Sequence, residues 1–210
     1  MALSQACSNL LTPSEIAQAM RQPIPNTQGF LAGFGNPKPR LILVGEAPGE
    51  TELTSHRPFS GRAGAKLALM LDVLGLTRAD VFITVSFPRR PIRLNEKTQR
   101  VVNRPPTANE ILADADLLDC ELSRLPQVPL LLMGNTAINR LYQGRVSDYA
   151  GQIIHHTLKH KRDQQLMFTG AVRTFAVCAH PAALLYRKQT EQATLAQLSA
   201  IKAQLLEDFA

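Results

Sequence analysis

The chain has 210 residues, of which 45% are apolar and 19% charged, and its formal net charge is +6 at pH 7. This is the composition of an ordinary globular domain, and no stretch approaches the roughly 18 apolar residues of a membrane-spanning helix. The length suits one domain with a sizeable core and is short for two. The first residues lack the basic and apolar segments of a secretory signal, so we expect a cytoplasmic protein with no membrane partner.

Apolar runs and helix caps alternate along the chain. Continuous apolar or β-branched segments predict buried strands at 41–44, 81–87, 128–133 and 174–179. Capping boxes and amphipathic spacing predict helices that begin at 12–15 and 107–110, and further helices at 61–75, 135–142 and 190–208. The helix that begins at 107–110 is predicted to end near residue 124. Residues 22–40 indicate a wrapped loop, and residues 143–170 indicate irregular structure or a hairpin.

Strands that alternate with helices form a parallel sheet between two helix layers, because right-handed crossovers place helices on both faces. We therefore predict a single α/β domain over residues 1–210, a three-layer sandwich with a central, mostly parallel four-stranded sheet. Its core spans about 34–188, and an N-terminal and a C-terminal helix pack on it. Ligands of such folds bind at the carboxyl ends of the strands. Those ends lie here at 45–49, 87–90, 134–135 and 180–181.

A glycine-rich turn with a carboxylate follows the first predicted strand. In Gly45-Glu46-Ala47-Pro48-Gly49 the glycines let backbone N–H groups approach a ligand closely, and Glu46 places a carboxylate at the mouth of the site. Phe59, in the following segment PFSGRAG, offers a flat apolar face on which a planar base can stack. No Walker or GxGxxG motif is present, which argues against a nucleotide cofactor. The same residues also fit a plain turn between a strand and a helix.

A histidine-proline pair follows the last predicted strand. His180 can donate a hydrogen bond to a developing oxyanion, although a lone histidine is more often structural. The apolar pair that includes Leu184 could enter a base stack, and Arg187 and Lys188 could hold phosphates. Basic residues also concentrate at 89–104 and 159–162, a pattern that attracts a polyanion but is equally typical of a solvated face.

Together, the two constellations resemble the uracil-DNA glycosylase superfamily, and within it most resemble the bacterial and archaeal family-four enzymes. The resemblance runs from about Phe34 to Lys188. It rests on FGNPKPRLILVGEAPGE with RPFSGRAG, on NRPPTANEI, on LLLMGNTAINRL and on HPAALLYRK, in that order. It implies an enzyme that flips a damaged base out of DNA and hydrolyses its N-glycosidic bond.

The resemblance also implies roles for individual residues. Glu46 would help to position or polarise the attacking water, and His180 would bind the leaving base as it becomes anionic. Ala47 would offer its backbone N–H to the base, Phe59 would stack on it, and Leu184 would fill the gap left in the duplex. The residues implied as DNA contacts besides Leu184 are Arg62, Arg89, Arg90, Arg187 and Lys188.

One departure from the family concerns base recognition. The family's second strand usually ends in an asparagine that reads the edge of the base, and Val85 stands at that position. Valine cannot make these contacts, and the neighbouring Ser86 could supply one hydrogen bond at most. The expected base-binding residues are therefore Gly45, Ala47, Phe59, Val85 and Ser86.

A second departure concerns iron. The family typically holds a four-iron cluster on four cysteines, whereas this chain has three, Cys7, Cys120 and Cys178, with no CxxC pair. Ala113-Asp114 stands where the resemblance places one of the cluster cysteines. We therefore expect no cluster, no other metal and no cofactor.

The leading hypothesis is a monomeric DNA glycosylase that removes uracil or another deaminated base, such as hypoxanthine, from DNA. The main alternative is a non-catalytic DNA-binding or scaffold relative with the same fold. Val85 favours this alternative, and the retained Glu46, Phe59 and His180 favour the enzyme. A third hypothesis is an unrelated nucleotide-using enzyme. Formation of abasic sites on oligonucleotides that contain uracil, hypoxanthine or xanthine discriminates among the three.

Overall fold

The computed structural model describes residues 9–206, which form helices, a large sheet and a small one. The strands are β1 (Thr27–Gln28), β2 (Phe34–Gly35), β3 (Leu41–Gly45), β4 (Val81–Val85), β5 (Arg90–Asn95), β6 (Arg100–Asn103), β7 (Leu130–Met133), β8 (Ile153–Arg162) and β9 (Gln165–Cys178). The helices are α1 (Pro13–Met20), α2 (Glu50–Ser55), α3 (Arg62–Leu74), α4 (Ala108–Ala113), α5 (Ala115–Ser123), α6 (Asn135–Leu141), α7 (Val146–Tyr149) and α8 (Lys188–Leu206). Short 3-10 turns occupy Arg78–Asp80 and Pro181–Leu185.

The large sheet has the strand order β2-β4-β3-β7-β9-β8. Its four central strands are parallel, and the edge strands β2 and β8 run antiparallel to their neighbours. All four predicted strands exist, but the predicted four-stranded sheet is wrong, since the sheet has six strands and is mixed. The sequence does not reveal β2, which has only two residues, and it indicates the largely polar β8 only through the alternative of a hairpin within 143–170. Strand β9 also begins at Gln165, well before the predicted start at 174.

Both faces of the central sheet are buried, as continuous apolar strands require. Leu41 and Leu43 of β3 join one core with residues of α3 and α8, whereas Ile42 and Val44 join a second core with residues of α5 and α6. The order of layers is therefore helix, sheet, helix, as predicted. This packing holds the carboxyl ends of the parallel strands at one edge.

Both capping boxes begin helices where the sequence predicts. The hydroxyls of Thr12 and Thr107 each accept a hydrogen bond from the backbone N–H three residues further on, at the starts of α1 and α4. The single helix expected from 107 to 124 is divided at Asp114, which has φ −103° and ψ 14°. Here the Asp114 carboxylate accepts a hydrogen bond from Arg89 Nε at 2.7 Å. A buried ion pair thus links this helix break to the loop after β4.

The smaller sheet has the order β1-β5-β6 and leads directly on from the carboxyl end of β4. Strands β5 and β6 form an antiparallel hairpin, and β1 pairs with the first two residues of β5. The sequence analysis recognised this stretch only as a basic segment. Among the helices of residues 9–206, none is long and apolar enough to cross a membrane.

One carboxyl group is buried between the sheet and α5. Glu121 is 3% exposed, and its two oxygens accept hydrogen bonds from the Gly33 N–H, at 2.8 Å, and from the Thr84 hydroxyl. Burial raises the pKa of Glu121 from 4.5 to about 7, although both hydrogen bonds act in the opposite direction. At a pH between 4.5 and about 7, the folded protein therefore keeps the Glu121 carboxyl group protonated, whereas the unfolded chain has released that proton.

We predict that Glu121 makes the free energy of unfolding fall as the pH rises from about 5 to about 7, by on the order of 3 kcal/mol. The stabilising contribution is fully present below pH 4.5, the pKa of Glu121 in the unfolded chain. It is lost as the pH rises past about 7, the pKa in the folded protein. Glu121→Gln keeps both contacts, because an amide can accept from Gly33 and donate to Thr84, but it does not titrate. Denaturant unfolding across this pH range should show that the free energy of unfolding of the variant increases relative to that of the wild type as the pH rises. A stability difference that does not change with pH would contradict the prediction.

Candidate active site

A cavity of about 250 Å³ lies where the carboxyl ends of β3 and β4 meet the loop after β9. Its size suits a single nucleobase. Of the residues predicted from the sequence, those in its wall are Glu46, Ala47, Phe59, Val85 and His180. The structure therefore brings together the glycine-rich turn and the histidine-proline loop, which are far apart in the sequence, around one small space.

Phe59 packs directly on the glycine turn. A Cβ built on Gly45 would lie 3.0 Å from Phe59 Cζ, so the ring can approach the backbone this closely only because residue 45 is glycine. Phe59 has the left-handed backbone angle φ 52°, and its carbonyl oxygen accepts a hydrogen bond from Arg78. The same carbonyl lies 2.0 Å from where a Cβ of Gly64 would be. These contacts hold a strained residue in place and fix its aromatic face at the cavity.

Glu46 is held by the helix that follows β7. Thr136 in the first turn of α6 donates its hydroxyl to Glu46 Oε2 at 2.6 Å, and the Phe87 N–H donates to the Glu46 carbonyl at 3.1 Å. Glu46 Oε1 has no hydrogen-bond partner within residues 9–206. One carboxylate oxygen is thus anchored, and the other remains available to a water or a ligand.

His180 is set up as a neutral hydrogen-bond donor. Its Nδ1 accepts a hydrogen bond from the Ala182 N–H at 3.2 Å, so in the neutral ring the proton lies on Nε2. Burial lowers the pKa of His180 below 6.5, and the nearby carboxylates of Glu46 and Glu52 only partly offset this. The ring lies 5.5 Å from the Phe59 ring, centroid to centroid. At neutral pH the imidazole is therefore uncharged.

Two further wall residues differ in polarity. The Ala47 backbone N–H has no hydrogen-bond partner in the described part of the chain, which leaves a donor at the cavity. Val85, at the end of β4, is 7% exposed and adds only methyl groups to the wall. The position that the family resemblance assigns to a base-reading asparagine is thus in the cavity but apolar.

The guanidinium groups of two predicted DNA contacts, Arg89 and Arg90, are buried and already paired within the protein. Arg89 is 6% exposed and binds the Asp114 carboxylate and the Ala19 carbonyl oxygen. Arg90 is 5% exposed and donates to the side chains of Asn103, Gln28 and Glu50. Both arginines therefore bind neighbouring parts of the protein, and their guanidinium groups are not exposed to a phosphate.

Ser86 and Leu184 also lie elsewhere than predicted. The Ser86 hydroxyl donates to the Gly45 carbonyl oxygen at 2.8 Å, and the residue is 1% exposed and outside the cavity wall. Leu184 is 2% exposed because the 3-10 turn directs it into the core beside α3 and α8. Ser86 therefore supports the turn, and Leu184 is not placed to enter a duplex.

The remaining predicted phosphate contacts are exposed. Arg62 is the first residue of α3, and Arg187 and Lys188 follow the 3-10 turn that begins after His180. None of the three forms an ion pair with any residue from 9 to 206. They stay available to an anionic partner.

The sequence analysis missed Thr136 and Asn103 as site residues. Asn103 lines the cavity, and its Oδ1 accepts from Arg90 Nε at 2.7 Å. Because arginine only donates, this contact fixes the amide with its NH₂ toward the turn, 3.2 Å from where a Cβ of Gly49 would be. Both residues lie in segments on which the family resemblance rests, NRPPTANEI and LLLMGNTAINRL. Their polar side chains at these places could therefore have identified them as site residues.

The described residues do not fit an iron–sulfur cluster. Cys178 is fully buried in β9, and the Cys120 thiol on α5 donates to Glu15 at 3.1 Å; burial raises the pKa of both thiols. Asp114, where a ligand cysteine was expected, is paired with Arg89. No group of three or more histidine, cysteine, aspartate or glutamate residues within 9–206 could hold a metal ion. Cys7 lies outside the described residues.

We predict that the purified protein contains no stoichiometric iron and shows no visible charge-transfer absorbance. The physical reason is that these thiols are separated and protonated, whereas cluster ligands are thiolates that converge on one site. Elemental analysis of protein purified without oxygen, with a known iron–sulfur protein prepared in parallel, provides the measurement. One cluster's worth of iron per chain would contradict the prediction.

Comparisons with known proteins identify the family of this chain. The family model of the Uracil DNA glycosylase superfamily matches residues 32–208. The Type-4 uracil-DNA glycosylase of Archaeoglobus fulgidus is 32% identical over 163 residues, which cover 78% of this chain and 75% of that protein. The Type-4 enzymes of Sulfurisphaera tokodaii and Thermotoga maritima are 31% and 32% identical, over 73% and 57% of this chain and 64% and 58% of their own lengths. The chain therefore belongs to the uracil-DNA glycosylase superfamily.

Proposed function

We propose that this protein is a DNA glycosylase of base excision repair, which hydrolyses the N-glycosidic bond of uracil, or of a related deaminated base, flipped out of DNA. The observation that carries the proposal is the arrangement of Glu46, Phe59 and a neutral His180 around one base-sized cavity. The names of its Type-4 relatives support the same activity.

Base binding would use the apolar and backbone groups of the wall. A flipped base can stack on Phe59, whose ring is fixed against Gly45. The Ala47 N–H can then donate a hydrogen bond to a base carbonyl, and no existing hydrogen bond has to break because this N–H has no partner in the described part of the chain. Only an extrahelical base can reach such a cavity, so the duplex must first release it.

His180 would stabilise the leaving base. As the bond from the sugar to the base nitrogen breaks, its electron pair moves onto the base and a carbonyl oxygen becomes anionic. The proton on His180 Nε2 can donate a hydrogen bond to that oxygen, and the bond strengthens as the charge develops. Because burial keeps the imidazole neutral at pH 7, His180 acts as a donor without transferring a proton.

Glu46 would direct the water that replaces the base. Its Oε1, which is not used by the protein, can accept a proton from a water molecule as the water oxygen bonds to the electron-poor sugar carbon. Thr136 holds the other oxygen, which restricts rotation of the carboxylate. The products are the free base and an abasic sugar, and the proton from water passes to Glu46 and then to the solvent or the base.

Val85 supports a second candidate, a DNA-binding relative without catalysis. Its methyl groups cannot pair with the polar edge of uracil, and an unpaired polar edge in a closed cavity costs about 1–3 kcal/mol. A cavity of about 250 Å³ without a base-reading asparagine would also admit a larger base, such as hypoxanthine, in place of uracil. Activity assays on several deaminated bases separate these outcomes.

We also propose that the protein acts as a cytoplasmic monomer on DNA. The exposed Arg62, Arg187 and Lys188 provide positive charge for the phosphate backbone near the cavity. Sedimentation of the free protein would test the monomer.

His180→Ala should lower the single-turnover rate of uracil excision by roughly 100-fold or more, as for one removed oxyanion donor. Glu46→Gln should also lower it, by roughly 100-fold, because an amide cannot accept the proton from water. Affinity for uracil-containing DNA should change little in either variant, since these contacts strengthen only in the transition state. The exposed histidine variant His155→Ala is the matched control and should retain wild-type rates. Equal rates for wild type and His180→Ala would contradict the proposed role.

Val85→Asn should raise the rate on uracil by roughly tenfold, because it restores polar contacts to the base edge at a position that faces the cavity. The measurement is abasic-site formation on oligonucleotides that carry uracil, hypoxanthine or xanthine. A wild type and a Val85→Asn variant that are both inert on every base would favour the non-catalytic candidate. Strong wild-type activity on hypoxanthine alone would make Val85 a specificity change.

A further inference from the structure

The apolar side chain expected to enter the duplex is not available for that role. Leu184 is 2% exposed and packs in the core, so an enzyme that flips a base needs another group to fill the gap in the stack. Two apolar residues of the β5–β6 hairpin are exposed, Leu94 at 55% and Val101 at 45%. The base of this hairpin, at Pro91, Asn103 and Arg104, forms part of the cavity wall.

We propose that the β5–β6 hairpin is a DNA-binding element, in which Leu94 and Val101 enter the duplex beside the flipped nucleotide and the basic residues of the hairpin hold phosphates. This inference rests on the proposed function, because it specifies how the same site engages a DNA duplex.

The strand register places the apolar pair two residues from the cavity wall. Leu94 pairs with Val101 across the hairpin, and Ile92 pairs with Asn103. Side chains two residues apart share a face of a strand, so Leu94 and Val101 lie on the same face as Asn103, which lines the cavity, whereas Pro91 reaches the cavity wall from the face of Arg93. The distance along the strand is two residues, or about 7 Å. This is the range in which a side chain could occupy the stack next to a base held in the cavity.

The other face and the turn of the hairpin carry positive charge. Arg93 and Arg100 point to the face opposite Leu94, and Lys97 lies in the turn; all three are exposed. They form no ion pair within the described residues, and Glu96 is the one acidic residue between β5 and β6. An apolar pair flanked by unpaired basic side chains is complementary to DNA, in which stacked bases lie between two phosphate backbones.

The base of the hairpin is held rigidly. Arg90, at the start of β5, donates to Gln28 of β1, Asn103 of β6 and Glu50 of α2. Arg104, just after β6, binds the Glu110 carboxylate and the Ile92 carbonyl oxygen. The buried Arg90 and the half-buried Arg104 therefore set the angle at which the hairpin leaves the cavity.

The tip is ordered as well. The Asn95 side-chain oxygen accepts hydrogen bonds from the backbone N–H groups of Lys97, at 3.0 Å, and Thr98, at 3.1 Å. A further backbone bond joins Gln99 N to the Asn95 carbonyl oxygen at 2.8 Å. A hairpin that is ordered before it binds loses little conformational entropy on meeting the duplex.

The β8–β9 hairpin provides a matched control. Strand β9 is parallel to β7 and ends at the cavity, so its tip, near Arg162 and Gln165, lies at the far end of a 14-residue strand, about 45 Å away. This hairpin also has exposed apolar residues, Met167 at 50% and Val172 at 64%. These two residues offer similar chemistry but lie roughly 20 to 36 Å along β9 from the cavity, toward the opposite edge of the sheet.

The test measures binding to short fluorescent duplexes that contain no scissile base, either undamaged or carrying a tetrahydrofuran abasic-site analogue. Leu94→Ser with Val101→Ser should weaken binding to the abasic duplex about tenfold and to the undamaged duplex by less than roughly twofold, because only the former has a gap to fill. Arg93→Ala with Lys97→Ala and Arg100→Ala should weaken both. It should also reduce the slope of log affinity against log salt by about 2 to 3. Met167→Ser with Val172→Ser should bind like the wild type.

A fluorescent 2-aminopurine next to the abasic site reports insertion directly, since its emission changes when a neighbouring side chain replaces a stacked base. The wild type and the Met167 and Val172 control should give this change, and the Leu94 and Val101 variant should lose it. Hairpin variants that match the wild type in affinity, salt slope and emission would overturn the inference. The same loss in Tyr186→Ala alone would also overturn it, because Tyr186, 77% exposed at the end of the 3-10 turn after His180, would then be the inserted group. Unchanged melting temperatures guard against misfolding. A different outcome is that the hairpin variants weaken DNA binding although the wild type excises no deaminated base. That outcome would overturn the proposed function but would still support the hairpin as a DNA-binding element.

Discussion

The burial of both faces of β3 is the constraint on which the rest of the structure depends. Its residues Leu41 to Val44 alternate between two separate cores, and each is 0% exposed. A strand covered on both sides must lie in the middle of the sheet, with parallel neighbours and helices above and below. The glycine turn that follows it therefore emerges at the centre of the carboxyl edge. There Gly45 allows the Phe59 ring to approach, and the loop that carries His180 arrives from β9.

The basic residues of this chain divide into two groups with different physical roles. Arg89, Arg90 and Arg140 are buried and are bound by carboxylates, carbonyl oxygens or amides, so they link loops and helices. Arg93 and Lys97 are exposed and without ion pairs in the described part of the chain. A charge that is already desolvated and paired has little left to offer a phosphate, whereas an exposed one retains its long-range attraction. Net charge therefore overstates the number of side chains that can meet DNA.

The polar groups of the cavity are held by a second set of contacts. Thr136 anchors Glu46, the Ala182 N–H fixes the tautomer of His180, and Arg90 orients the amide of Asn103. Each contact uses one atom of the functional group and leaves the other without a hydrogen-bond partner among residues 9–206. Such preorganisation matters in catalysis because the groups need not reorient as charge develops on the leaving base. Val85 is the exception, since it brings no polar atom to the wall.

The sequence by itself determined the central strands, the helix starts at Thr12 and Thr107, and the pairing of Glu46 and Phe59 with His180 in one site. The strands and helix starts follow from local patterns, namely continuous apolar runs and capping boxes, which act over a few residues. The shared site follows from the rule that the carboxyl ends of parallel strands meet at one edge, together with the family resemblance. The tertiary structure alone decided that Leu184 and Ser86 face inward and that β8 extends the sheet as an edge strand. It also decided that Arg89 and Arg90 are buried and bind other parts of the chain. In these cases the outcome depends on partners far away in the chain, such as Asp114 for Arg89 at 2.7 Å. Burial and pairing are properties of the folded neighbourhood, and no single segment of sequence contains them.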